Sequence, residues 1–187
     1  MSDTAPLRES QSLTLPLRVA DLPNRQGVDF RLSPDTGARA ALAAQLDLPK
    51  LRKLTFSGTL RPEGHHDWRL EGVLGATAVQ SCIVTSDPVT TRIDTPVLRR
   101  FLRRMPKIDE PEVEIPDDDS IEPLGPVIDP GAVMAEALTL ALPDYPRAPG
   151  ADLADLSGIV DSVDAPPAER QTPFADLSAL IQGKDER

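Results

Sequence analysis

The sequence predicts an α+β fold: a curled antiparallel β-meander that could close into a partly open barrel, with two main helices and a disordered acidic C-terminal tail. Three observations predict it. Residues 50–105 alternate apolar and polar side chains in long runs broken by short turn signals, as antiparallel strands do. Residues 34–47 and 129–142 instead carry apolar residues at three-to-four spacing behind helix-starting residues. The third observation is charge: residues 1–106 hold 15 Lys and Arg against 11 Asp and Glu, while residues 107–187 hold 5 against 19. One core is expected over residues 1–146, interrupted by an acidic loop at 107–126 and followed by a tail at 147–187.

Taken in order, "SLTLPLRV" (12–19) alternates through Leu13, Leu15 and Leu17, and Pro16 marks it as an edge strand. "GVDFRLS" (27–33) reads as a second strand. The helix after it has Ser33 as its expected N-cap, Pro34 and Asp35 in its first turn, and Ala41, Leu42, Gln45 and Leu46 as its stripe; Pro49 ends it. "KLRKLTFSGTLRP" alternates through Leu51, Leu54, Phe56 and Thr59 with one slip near Lys53. "EGHHD" turns the chain, and the next strand alternates through Trp68, Leu70 and Val73. Gly72 and Gly75 within it suggest a bulge or a sharp curl. "IVTSDPV" reverses the chain again, and "VTTRIDTPVLRRFL" follows as another long strand. Asp129, Pro130 and the stripe Val133, Met134, Ala137, Leu138 and Ala141 define the second helix. Beyond Pro146 the chain is rich in Ala, Asp and Pro, which bury too little surface to offset ordering. The exception is an amphipathic stretch over 173–181 with Phe174, Leu177, Leu180 and Ile181 on one side, a docking helix by pattern.

Several function classes have no support here. No run of about 18 apolar residues exists to span a membrane, and the N-terminus lacks the pattern of a signal peptide. No phosphate-binding glycine loop or nucleophile elbow is present. The single cysteine, Cys82, has no second sulfur for a disulfide, and with only His65 and His66 beside it the chain lacks a zinc ligand set. Those histidines lie in a hairpin turn at the far end of a strand from Cys82, so a nucleophilic or redox pairing is not expected. Cys82 reads as a small buried hydrophobe, His65 and His66 as exposed turn residues, and Trp68 as core. No cofactor, metal, catalytic residue or small-molecule substrate is expected.

Two charged segments remain. "VLRRFLRRMPK" places Arg99, Arg100, Arg103, Arg104 and Lys107 within nine positions, which suits contact with RNA phosphates or serves as counter-charge to the loop that follows. That loop carries Asp109, Glu110, Glu112, Glu114, Asp117, Asp118, Asp119 and Glu122, a polyanion suited to a basic protein partner.

The order of several motifs resembles one family. Trp68 with "LEG", then "VQSCIVTSDPV", "EIPDDDSIEPLGPVID", "LTLALPDYPR" and "PFADLSAL" together look like the YceD-like large ribosomal RNA subunit accumulation proteins. The resemblance spans nearly the whole chain, most strongly residues 66–146 and 172–180. It implies a bacterial cytoplasmic protein that supports 23S ribosomal RNA accumulation. It also implies a gene commonly beside that of large-subunit protein L32, with no catalytic activity established for the family. Many members carry C-x-x-C where this chain has Cys82 and Thr85, so a two-cysteine metal site is missing here. The resulting expectation is a non-enzymatic biogenesis factor that contacts a ribosomal protein such as L32, a large-subunit precursor particle, or 23S rRNA. The alternatives are a stand-alone RNA-binding module using the 99–107 cluster and, with least support, a cysteine-dependent redox or hydrolytic enzyme.

Overall fold

The chain opens with β1 (Leu7–Ser10) and β2 (Leu17–Arg18), makes one 3-10 turn over Val19–Asp21, and continues into β3 (Val28–Leu32) and α1 (Thr36–Gln45). Three long strands follow, β4 (Lys50–Glu63), β5 (Asp67–Ser81) and β6 (Pro88–Leu102), then β7 (Ile121–Pro123), β8 (Val127–Ile128) and α2 (Pro130–Ala141). This computed structural model describes residues 7–105 and 120–151. The chain divides into two compact units, Met1–Pro149 and Gly150–Arg187, and the elements named here belong to the first. The tail residues Phe174, Leu177, Leu180 and Ile181 lie outside the described residues.

The main sheet has the order β1-β3-β4-β5-β6-β7, and β2 pairs with β8 in a small second sheet. Strands β3 to β6 form the antiparallel meander, while β1 and β7 join its two edges in parallel. The α+β class holds, and the main sheet is open, with an edge strand on each side, rather than a closed barrel. The inner face is apolar at most alternate positions, Arg99 of β6 being charged. Phe30, Phe56, Leu60, Leu70 and Leu74 are almost wholly buried on it. The Phe30 and Phe56 rings meet at 5.1 Å between centroids. Leu42 and Ala43 of α1 join Val133, Met134, Ala137 and Leu138 of α2 in the same cluster.

The slip in period near Lys53 is real: the β4–β5 register shifts between Leu51 and Lys53, which restores Leu54 to the inner face. Several expectations need correction. Only Leu17 and Arg18 of the 12–19 run pair as a strand, because the Leu15 N–H is drawn to the Asp129 carboxylate at 2.8 Å instead. Leu13 and Leu15 nonetheless pack on the core. The cap of α1 is Asp35, whose carboxylate accepts from Ala38 N at 2.8 Å; Ser33 is still bonded to Ser10 of the neighbouring strand. Its buried face is Leu42 and Ala43, with Ala41 and Gln45 exposed. Thr59 and Val73 point outward, the latter 56% exposed, because the strict two-residue period puts Leu60, Gly72 and Leu74 inside. Gly72 marks close packing rather than a bulge. It pairs with Gly58, and a Cβ on it would lie 2.8 Å from the Phe56 ring. Finally, β7 and β8 form within and just beyond the segment expected to be an acidic loop.

Candidate nucleic-acid interface

Register assembles the charged site. The turn at residues 64–66 pairs Arg61 with Arg69 across β4 and β5, and the β5–β6 ladder pairs Arg69 with Arg100. Three arginines therefore lie side by side on the outer face of the sheet. Adjacent like charges on one sheet face are unfavourable unless offset. Here Glu71 contacts Arg69 at 2.7 Å, and Glu63 reaches Arg100 at 3.0 Å and Arg69 at 4.0 Å. Glu63 and Glu71 thus hold Arg69 and Arg100, while Arg61 has no ion pair among the described residues.

The same ladder pairs Trp68 with Phe101, which carries the end of β6 past the 64–66 turn. Asp67 Oδ1 accepts the Arg103 backbone N–H at 2.8 Å and fixes that crossing. The Arg103 guanidinium then lies 3.4 Å from His66 Nδ1, and the His65 and His66 rings are 6.3 Å apart, tilted by 53°. His65, His66, Arg103 and Arg104 are all exposed. Arg104 has no ion-pair partner among the described residues. Two histidines and two arginines distant in sequence thus form one basic, hydrogen-bond-rich end of the sheet, chemically suited to phosphate oxygens.

The structure divides the basic cluster by strand period. Arg99 points inward, 8% exposed; it meets Glu136 of α2 at 2.7 Å and lies 3.1 Å from Glu122 of β7. Nε in that second pair has a close charge contact without an aligned hydrogen bond. One member of the basic cluster and one of the acidic segment therefore neutralise each other, tying β6 to β7 and α2. Arg100 faces outward with Glu63, while Arg103 and Arg104 extend past the strand. Lys107, Asp109, Glu110, Glu112, Glu114, Asp117, Asp118 and Asp119 lie outside the described residues.

Cys82 is buried at the other end of β5. Its Sγ accepts backbone N–H groups from Ala148, Val84 and Thr85 at 3.3, 3.4 and 3.5 Å. The Thr85 hydroxyl, then the Ala148 and Thr85 N–H groups, lower its pKa from 9.0 to about 7, against the opposing effect of burial. Thr85 thus meets the sulfur through hydrogen bonds at the position where a second cysteine stands in many proteins of the family it resembles.

The family model described as large ribosomal RNA subunit accumulation protein YceD matches residues 70–181, more than half of the chain. The chain belongs to the YceD family. Comparisons with curated proteins and with solved structures find no match. The family match takes in β5 from Leu70 onward, β6 and α2, and stops short of the histidine turn. Sequence reading found Arg103 and Arg104 but missed their juxtaposition with His65 and His66 and the Arg61–Arg69–Arg100 row. The signal was present in the turn centres: a hairpin folded about His65 sets residue 61 opposite 69.

Proposed function

We propose that this YceD-family protein is a non-enzymatic factor of large-subunit assembly in the bacterial cytoplasm that supports 23S rRNA accumulation by holding precursor rRNA. The observation that supports this reading is the joining of the outer-face row Arg61, Arg69 and Arg100 to the end cluster of Arg103, Arg104, His65 and His66. A basic strip contributes sequence-independent affinity through phosphate contacts and counterion release. The chain as a whole carries −10, but interactions between exposed charges decay over a Debye length of about 8 Å at physiological salt, so a local strip can dominate.

The test is capture of the tagged chain from cells, with bound precursor 23S rRNA quantified. Replacing Arg61, Arg100, Arg103 and Arg104 by Gln should release most of the RNA from a variant that still melts cooperatively. Undiminished rRNA on that folded variant would reject the reading. The 109–122 acidic segment favours a second one, a cradle for a lysine-rich ribosomal protein such as large-subunit protein L32. Replacing Asp117, Asp118 and Asp119 by Asn should weaken capture of that protein if the cradle operates, and leave RNA capture intact.

A further inference from the structure

Beneath the histidine turn is a cavity of about 550 Å³. We infer that it is a pocket for one unpaired nucleotide of a single-stranded RNA, an inference that rests on the RNA-contact reading and specifies what that contact recognises. Its volume falls within the roughly 300–1,000 Å³ of small-ligand sites, which combine apolar walls with a few convergent polar groups.

Three separate segments build it. The 3-10 turn contributes Val19 and Ala20, the loop before β8 contributes Leu124 and Pro126, and the hairpin contributes Pro62 and Trp68. These walls are apolar and suit the face of a base. The rim is polar. It includes His65, His66, Arg103 and Asn24, and the Asn24 amide has no hydrogen-bond partner among the described residues. Imidazole rings and guanidinium planes are the groups on which splayed-out RNA bases stack, and an amide can read a base edge. A second hollow on the same rim is lined by His65, His66, Asp67, Arg103 and Arg104, and the adjoining phosphate would lie against its two arginines. Asp67 is the one acid on this rim, and its Oδ1 is already committed to the Arg103 N–H.

A duplex would not satisfy this arrangement. Its bases are stacked and paired, so it could use the arginines but not the cavity. The pocket therefore selects unpaired over paired RNA, a preference that a purely electrostatic surface lacks.

The chain contains one tryptophan, and Trp68 lines the cavity, so its emission reports occupancy. The experiment titrates the full-length protein with a single-stranded RNA octamer and with the same octamer annealed to its complement. Trp68 emission and the anisotropy of a labelled octamer are read together. Occupancy predicts a saturable change in Trp68 emission with the single strand only, and at least fivefold tighter binding of it than of the duplex. Ala20→Phe, a substitution at an exposed position that fills the cavity, should weaken the single strand about tenfold, the size of one lost base-stacking contact, and leave the duplex unchanged. Arg103→Gln with Arg104→Gln should weaken both. Unchanged octamer affinity in Ala20→Phe, or silent Trp68 emission at saturation, would overturn the pocket. Either result leaves rRNA capture by the outer-face arginines as a separate measurement, so the pocket can fail while the RNA-contact reading stands.

Discussion

The turn at residues 64–66 and the turn at 82–87 bound the same fifteen-residue strand, yet they treat their polar groups in opposite ways. In the second, Cys82 N–H donates to Asp87 O at 2.7 Å, Ser86 N–H to Cys82 O at 2.9 Å, and three further N–H groups point at the sulfur. All of those groups are satisfied within the loop except the Ala148 N–H, which reaches the sulfur from the segment after α2. In the first, His65, His66 and the neighbouring Arg103 and Arg104 stand exposed, and among the described residues their side chains are linked by the 3.4 Å contact of Arg103 with His66 and the His65–His66 ring contact. A turn whose polar groups are satisfied internally fixes structure, whereas one whose donors face solvent is available to a ligand. The cysteine attracts notice in the sequence because it is unique, but it is the open turn whose charged side chains face solvent.

The largest predicted effect separates the two ends by RNA affinity. Arg103→Gln with Arg104→Gln removes two phosphate contacts, so the slope of log K against log salt for single-stranded RNA should flatten by about 1.4. Affinity at low salt should fall by more than tenfold. Cys82→Ala, at the closed end, should leave both the slope and the affinity unchanged. An equal loss from both variants, measured by anisotropy at several salt concentrations, would erase the functional contrast between the turns.

The second prediction concerns Arg99, which stands on the inner face near the open end yet behaves like the closed one. Its guanidinium is covered, while Glu122 and Glu136 are 39% and 50% exposed at their side chains. Arg99→Met should therefore cost about 1–2 kcal/mol, less than the roughly 3–5 kcal/mol typical when a fully buried partner is stranded, because both carboxylates can turn to water. Adding Glu136→Gln should recover part of that loss. RNA affinity should stay as it is. A drop in RNA binding without a drop in unfolding free energy would move Arg99 into the binding strip.

Much of this was legible in the sequence. Alternation found β3 to β6, the slip at Lys53 found the irregular register, and Asp129 with Pro130 found the start of α2. What escaped depends on partners remote in sequence. Ser33 resembles a cap as well as Asp35 does until one sees that its backbone is held by Ser10. Strands β1, β7 and β8 have two to four residues, too few for any period to show. The arginines read as one linear cluster, but a period of two sends Arg99 to the core and Arg100 to solvent. The histidine–arginine site required two registers at once, that of β4–β5 and that of β5–β6.

The third prediction tests closure of the cysteine turn by pH. The folded state lowers the Cys82 pKa from 9.0 to about 7, so it favours the thiolate. The stability this group contributes is fully present above pH 9 and is lost as pH falls through about 7. The melting temperature of the natural protein minus that of Cys82→Ala should accordingly rise between pH 7 and pH 9 and stay flat below that window. A difference that is constant from pH 6 to 9 would mean that the surrounding N–H groups do not favour the thiolate. The open turn, altered by Arg103→Gln, should show no such dependence on Cys82.

The smallest effect lies in the backbone, where each turn places one residue in the left-handed region. Gly64 has φ 62° in the open turn, and Ser86 has φ 64° in the closed one. A residue with a Cβ is strained in this left-handed region, whereas glycine adopts it freely. Ser86 is exposed, and its side chain makes no hydrogen bond among the described residues, so Ser86→Gly should relieve that strain and raise stability by about 0.5–1 kcal/mol. At Gly64 a Cβ would meet nothing within 4 Å. The cost of Gly64→Ala is then the backbone term alone, about 1 kcal/mol, with the opposite sign. Denaturant unfolding with equal m-values would show the pair as near mirror images. If Ser86→Gly instead destabilises the protein, the serine side chain contributes to the closed turn and its inward-satisfied character extends beyond the backbone and the sulfur.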